Sequence, residues 1–227
     1  MAIRRGKDVK AELVAVFGDD NMVCDAARVS MDKRADQYLP EQNERLIKYL
    51  VKNDHWSPLS HPKAQFRLSL PIFVARQWEK HRVGVVRGYD IFDQNEISRR
   101  YVDSAPDFFE PDTWRARPEE SIKQGSGEAL DVRVQYKCQQ TYKNAIHACE
   151  KAYEALLAWD VAPEQARMVL PQSMMTQWVE TGSLSYWARL CNLRLDSHAQ
   201  KEIGVLSQQV SEQMAKVFPV SWRALVC

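Results

Sequence analysis

The chain reads as an α+β protein, a mixed sheet with packed helices and no Rossmann core. Three observations predict this class. A few strand-like segments stand among longer helical patterns without the regular β-α alternation of a doubly wound sheet. No G-x-G-x-x-G follows a strand, so the dinucleotide fingerprint is missing. The length of 227 residues, 45% of them hydrophobic and seven of them Trp, suffices for one substantial core. A single domain over 1–227 is therefore expected.

The elements follow in order. Residues 11–17, A-E-L-V-A-V-F, are short and apolar and predict a strand. Pro40 sits just inside a helix running to about Lys52, with Leu46, Ile47, Leu50 and Val51 as its buried stripe. His55 to His61 is a loop. From Ala64 to Leu70 apolar and polar residues alternate, which predicts a half-buried strand with Ala64, Phe66, Leu68 and Leu70 inward. Pro71 opens a helix on which Gln77, Lys80 and His81 share a side at three- and four-residue spacing. Residues 103–127, rich in Pro and Gly, form a long excursion. A long helix is expected from Glu128 to Trp159, and a short one from Pro163 that stops near Pro171. Ser183 and Asp196 are N-cap residues for two more, the last running from about Ser197 to Val217.

Composition narrows the function. Thirty-one Lys and Arg against 30 Asp and Glu leave a net charge of +1, which argues against a general nucleic-acid binder. No apolar run approaches the ~20 residues that span a bilayer, so no membrane partner is expected. The N-terminal basic residues have no apolar stretch behind them, unlike a signal peptide. Five scattered cysteines with no C-x-x-C pair indicate neither a zinc site nor a disulfide framework, and a cytoplasmic location follows.

Two polar constellations carry the chemistry. The first joins Arg76, Gln77, Lys80, His81 and Arg82 to Asn95, Glu96, Ser98, Arg99 and Arg100. Arg dominates it, and the planar guanidinium suits bidentate recognition of phosphate or carboxylate. The second holds Arg167, Ser183, Arg189, Asn192, Arg194, Asp196, His198 and Gln200. Taken alone, each cluster also fits ordinary ion pairing: Arg194 with Asp196 or Glu202, and the first cluster with Glu79, Asp90, Asp93, Glu96 and Asp103. The first cluster with Trp78, Tyr89, Phe92 and Tyr101 also fits single-strand stacking. His55, His61, His81 and His198 have no Cys or carboxylate at ligand spacing, so no metal is expected.

Five segments in this order resemble the flavin-dependent thymidylate synthases: H-W-S-P-L-S-H at 55–61, P-I-F-V-A-R-Q-W-E-K-H-R at 71–82, N-E-I-S-R-R-Y at 95–101, A-R-M-V-L-P at 166–171 and N-L-R-L-D-S-H-A-Q-K-E at 192–202. The family signature has Arg-His-Arg, seven residues, then Ser. Here Lys80 replaces the first Arg, and fifteen residues separate Arg82 from Ser98, an insertion of eight within Val83 to Gln94. Ser60 stands where many relatives have Glu.

The resemblance implies reductive methylation of dUMP to dTMP. The carbon donor would be 5,10-methylenetetrahydrofolate, with FAD as hydride carrier and NADPH as reductant. It implies a homotetramer whose active sites are shared between subunits. By resemblance, Gln77, Lys80, Glu96, Ser98, Arg100, Arg167 and Arg194 bind dUMP, and Arg194 is catalytic. Ser57, Lys80, His81, Arg82, Ser183, Arg189 and His198 contact FAD, and His55 serves folate or substrate access. Classical thymidylate synthases use a Cys in a Pro-Cys-His context, which none of these cysteines has.

Overall fold

A computed structural model describes residues 8–81, 92–101, 104–118 and 125–226. Its centre is a four-stranded antiparallel sheet in the order β1-β2-β4-β3, where β1 is Lys10–Phe17, β2 Lys63–Pro71, β3 Phe92–Glu96 and β4 Met175–Ser183. The expected alternation in β2 holds: Ala64, Phe66, Leu68 and Leu70 are all buried. Opposite them on β4 lie Gly182, Glu180, Trp178 and Thr176. That row is buried too, although most of it is polar or small.

The helices are α1 Asp20–Arg28, α2 Pro40–Lys52, α3 Ile72–Trp78, α4 Val132–Ala158, α5 Pro163–Ala166, α6 Leu184–Arg194, α7 Lys201–Val217 and α8 Pro219–Leu225. Their ends follow local chemistry. Asp19 caps α1, Asp131 caps α4, and Ser183 Oγ accepts from Tyr186 N at the start of α6. Pro40 occupies the first turn of α2, where its missing N–H costs nothing. Trp78, Leu184, Trp187, Ile203, Leu206, Val210, Met214, Phe218 and Trp222 pack with the inward row of β2 into one apolar core. Burial of that kind stabilises at about 25 cal/mol per Å² of apolar surface.

One contact fixes the edge of the sheet. Gln209 and Gln213, one turn apart on α7, lie along the outer side of β1. Gln209 Oε1 accepts from Ala11 N and Gln213 Oε1 from Leu13 N, each at 2.8 Å. Their amides return to Val9 O and Ala11 O at 3.1 and 3.0 Å. Two side chains thus replace a neighbouring strand.

Several expectations need correction. The long helix starts at Val132, because Ala129 bridges to Arg115 and Asp131 provides the cap. Ile146 and Tyr153 are the residues of α4 that are buried. Asp196 does not cap the last helix; its Oδ1 accepts from His198 N at 2.8 Å, and α7 begins only at Lys201 after Gln200. The helix after Pro71 closes at Trp78, placing Lys80 and His81 just beyond it. Strands β3 and β4 have no counterpart in the sequence reading. Phe92, Asp93 and Gln94, placed within the insertion by sequence, are in β3. Arg82 and the segment 83–91 lie outside the described residues.

Candidate active site

The end of α3 meets the end of α6. Both follow strands directly, α3 from β2 and α6 from β4, and those strands are hydrogen-bonded neighbours. The strands are antiparallel, so the two helices leave opposite ends of the sheet, and it is their far ends that bring Gln77, His81 and Arg194 together. Arg194 Nη2 donates to the Gln77 carbonyl oxygen at 3.2 Å. His81 N donates to Trp78 O at 2.9 Å, and its ring faces Tyr186 at a centroid distance of 5.7 Å.

Electrostatics mark the spot as cationic. His81 is only 4% exposed. Burial, then the guanidiniums of Arg194 and Arg189, lower its pKa to about 4, so the ring is neutral at working pH. Glu202 and Asp196 leave Arg194 alone: Glu202 takes Arg115 at 2.7 Å, and Asp196 takes His198 at 2.9 Å. Arg194 Nε and Gln77 Oε1 are buried with no hydrogen-bond partner among the described residues. A buried polar atom without a partner costs about 1–3 kcal/mol. One donor and one acceptor facing a positive potential suit a polar heterocycle carrying phosphate, which fits a nucleotide or a flavin nucleotide.

A groove of about 580 Å³ borders this junction. Arg194, Lys201 and Gln208 line it, together with Arg115 and Ser126 from the excursion. Arg115 reaches Ser126 Oγ at 2.6 Å and Glu202 at 2.7 Å, tying the excursion to α7.

Other site residues fall into separate groups. Ser183 is buried at the N-cap of α6, and its hydroxyl meets Ser185 Oγ at 3.0 Å, which meets Ser60 Oγ at 3.2 Å. Ser57 opens the 3-10 turn Ser57–Ser60 and is exposed, as is His55. On β3, Glu96 accepts from Thr176 Oγ1. Ser98 Oγ accepts from Arg100 Nε at 3.1 Å. Arg167 is exposed on its 3-10 turn, with Nε donating to Glu164 O at 3.2 Å. Lys80, Arg189 and His198 are exposed.

Sequence reasoning missed Tyr186, Glu180, Thr176 and Ser185. Only the polar face of β4 offered a signal. Burial pushes Cys191 up to about 12 and raises Cys24 as well, so neither is a ready thiolate. No helix among the described residues is long and apolar enough to cross a membrane.

Known proteins resemble this chain along nearly its whole length. Residues 12–220 match the family model described as thymidylate synthase complementing protein. The flavin-dependent thymidylate synthase of Thermosipho melanesiensis is 37% identical over 206 residues, 91% of this chain and 83% of that protein. That of Thermus thermophilus is 33% identical over 212 residues, 93% and 73%. The solved structure of the UMP/dUMP methylase PolB from Streptomyces cacaoi with 5-Br dUMP superposes with a TM-score of 0.82 at 28% identity, covering 99% of this chain and 96% of PolB. A family model matched from residue 12 to 220, relatives 33–37% identical and a fold shared along nearly the whole chain place this protein in the flavin-dependent thymidylate synthase family.

Proposed function

We propose that this chain, acting as one domain, methylates dUMP to dTMP in the cytoplasm, with 5,10-methylenetetrahydrofolate as carbon donor and NADPH as reductant. Family membership supports flavin-dependent thymidylate synthesis. FAD, when bound, supplies the hydride transfer. The observation that carries the reading is the Arg194–Gln77 bond at 3.2 Å, with both side chains keeping a buried polar atom unpartnered.

The residues divide the work. Arg194 stays cationic at any working pH. It holds the uracil edge and stabilises negative charge that develops on the ring, a fixed electrostatic partner and not an acid. Gln77 orients the base. Ser98, Arg100 and Arg167 take the phosphate, with Lys80 and Glu96 beside them. Neutral His81, Arg189, His198, Ser57, Ser183 and Lys80 hold FAD; Arg82, outside the described residues, completes that set. His55 serves the folate approach.

Arg100 and Arg167 stand exposed on separate elements. Val132 and Tyr136 on α4 are 85% and 67% exposed, apolar surface suited to subunit contact. Both facts support a homotetramer whose sites draw residues from several subunits. Neither the near-neutral charge nor the helices suggest a nucleic-acid or membrane partner.

The test is the visible spectrum of the protein reconstituted with FAD, before and after dithionite and dUMP. It is followed by a dTMP assay with dUMP and, separately, UMP. A flavin spectrum that bleaches on reduction and shifts with dUMP is expected. Failure to retain FAD would overturn the assignment, and methylation of UMP alone would overturn the choice of substrate.

A further inference from the structure

Glu180 lies in the middle of β4 and is 1% exposed. A buried carboxylate needs hydrogen-bond donors, and three converge on it. Trp178 Nε1 donates to Oε2 at 2.7 Å and Trp78 Nε1 to the same oxygen at 3.1 Å. Tyr186 OH donates to Oε1. Burial raises the carboxyl above its ordinary value, with the three donors pulling the other way.

Two of these donors also contact His81. Trp78 is the last residue of α3, and its carbonyl accepts the His81 N–H at 2.9 Å. Tyr186 is in the first turn of α6, and its ring packs on the imidazole at 5.7 Å. Tyr186 is also fixed at its backbone, where its N–H reaches Ser183 Oγ at 3.1 Å. One side chain on the sheet therefore grips the backbone support and the ring support of His81. Gln77 precedes Trp78 directly, and its carbonyl receives Arg194. A slip of α3 against α6 would displace Gln77 and His81 from Arg194.

We propose that Glu180 is a positioning residue: by holding Trp78 and Tyr186 it fixes His81, and with it the Gln77–Arg194 pair, in the geometry that binds the flavin and dUMP. A carboxyl side chain suits this position because both of its ends are oxygens that accept the three bonds, whereas an amide would turn an N–H toward one of the donors. The inference rests on the assignment of His81 to the flavin site.

The test uses the FAD-loaded enzyme and three variants, each assayed where it is fully folded. Glu180→Gln and Tyr186→Phe loosen the grip with little change in volume. Trp222→Phe removes a comparable indole bond, 2.9 Å to Ser211 Oγ, in a part of the core carried by α8. Dissociation constants for FAD and for dUMP (from the flavin spectral shift) are measured with the melting temperature. Displacements of about 1 Å cost up to a hundredfold in well-positioned sites. Glu180→Gln and Tyr186→Phe are expected to weaken FAD or dUMP at least about tenfold. Trp222→Phe is expected to lower the melting temperature while both constants stay within about twofold. Wild-type constants in both site-side variants would overturn the proposal, as would equal weakening in Trp222→Phe. Wild-type protein that does not bind FAD would instead overturn the assignment beneath it.

Discussion

Arg194 donates to the main-chain carbonyl of Gln77 across 117 residues of sequence, and each of the two side chains keeps a buried polar atom unpartnered. The bond uses the backbone of Gln77 and leaves its amide oxygen for a ligand. It also uses one Nη of Arg194 and leaves Nε. The pair is thus locked in place without being chemically satisfied, which is the arrangement a preorganised site requires.

Truncating the guanidinium should therefore remove activity without unfolding the protein. Arg194→Ala is expected to lower the rate of dTMP formation by more than about a hundredfold. The FAD spectrum should be largely retained. Arg194→Lys should also be severely impaired, because an ammonium keeps the charge and loses the planar fork. Near-normal turnover in either variant would exclude Arg194 from catalysis.

The buried imidazole makes a pH signature. The folded pKa of His81 is about 4, below an ordinary value of 6.5. Between those values the unfolded chain binds more protons than the folded one, so this residue makes stability rise with pH. Its contribution is fully present above about pH 6.5 and is lost as pH falls toward 4. The size is on the order of 3 kcal/mol. Urea unfolding of the FAD-free protein at pH 4.5 and 7 checks it. His81→Gln should narrow the difference between the two pH values, while the carboxylates that also titrate are common to both proteins. An unchanged difference would mean that His81 is protonated in the folded state.

The sequence made some of this visible and hid the rest for physical reasons. The strand Ala64 to Leu70 was legible because all its inward positions are apolar. Strand β4 was not, because its inward positions include Thr176, Glu180 and Gly182, and the first two find their partners on α3, β3 and α6. Gln77, His81 and Arg194 stood out through their motifs, but Tyr186 and Glu180 did not. Glu180 is 102 residues from Trp78, and no local pattern records that contact. Asp196 misled as a helix cap because its carboxylate is engaged by His198, two residues on.

Gly182 is where the sheet hands the chain to α6. A Cβ there would overlap the Tyr186 ring and stand 3.1 Å from Trp187 Nε1. Both rings are buried, and Trp187 is held by Ala64 O and Gly182 O at 3.1 Å each. Neither can retreat freely. Gly182→Ala should cost about 1–3 kcal/mol of stability by overpacking. FAD affinity should fall with it, since the displaced ring is the one against His81. Calorimetry and flavin titration check the two effects, and a variant as stable as the parent would show that the junction yields.

The glutamine pair on α7 can be tested without touching the site. Gln209 and Gln213 bond the backbone of Val9, Ala11 and Leu13 through four side-chain contacts. Replacing both by Ala exposes the outer edge of β1, whose residues Val14, Val16 and Phe17 are already exposed. Each net hydrogen bond contributes about 0.5–1.5 kcal/mol, and the freed backbone groups regain water. The double variant should therefore lose on the order of 2 kcal/mol in urea unfolding. An open, apolar strand edge also pairs readily with another chain. Light scattering at matched concentration should accordingly rise for the double variant, and less for either single one. A double variant with an unchanged midpoint and no added scattering would show that β1 is held by its pairing with β2 alone.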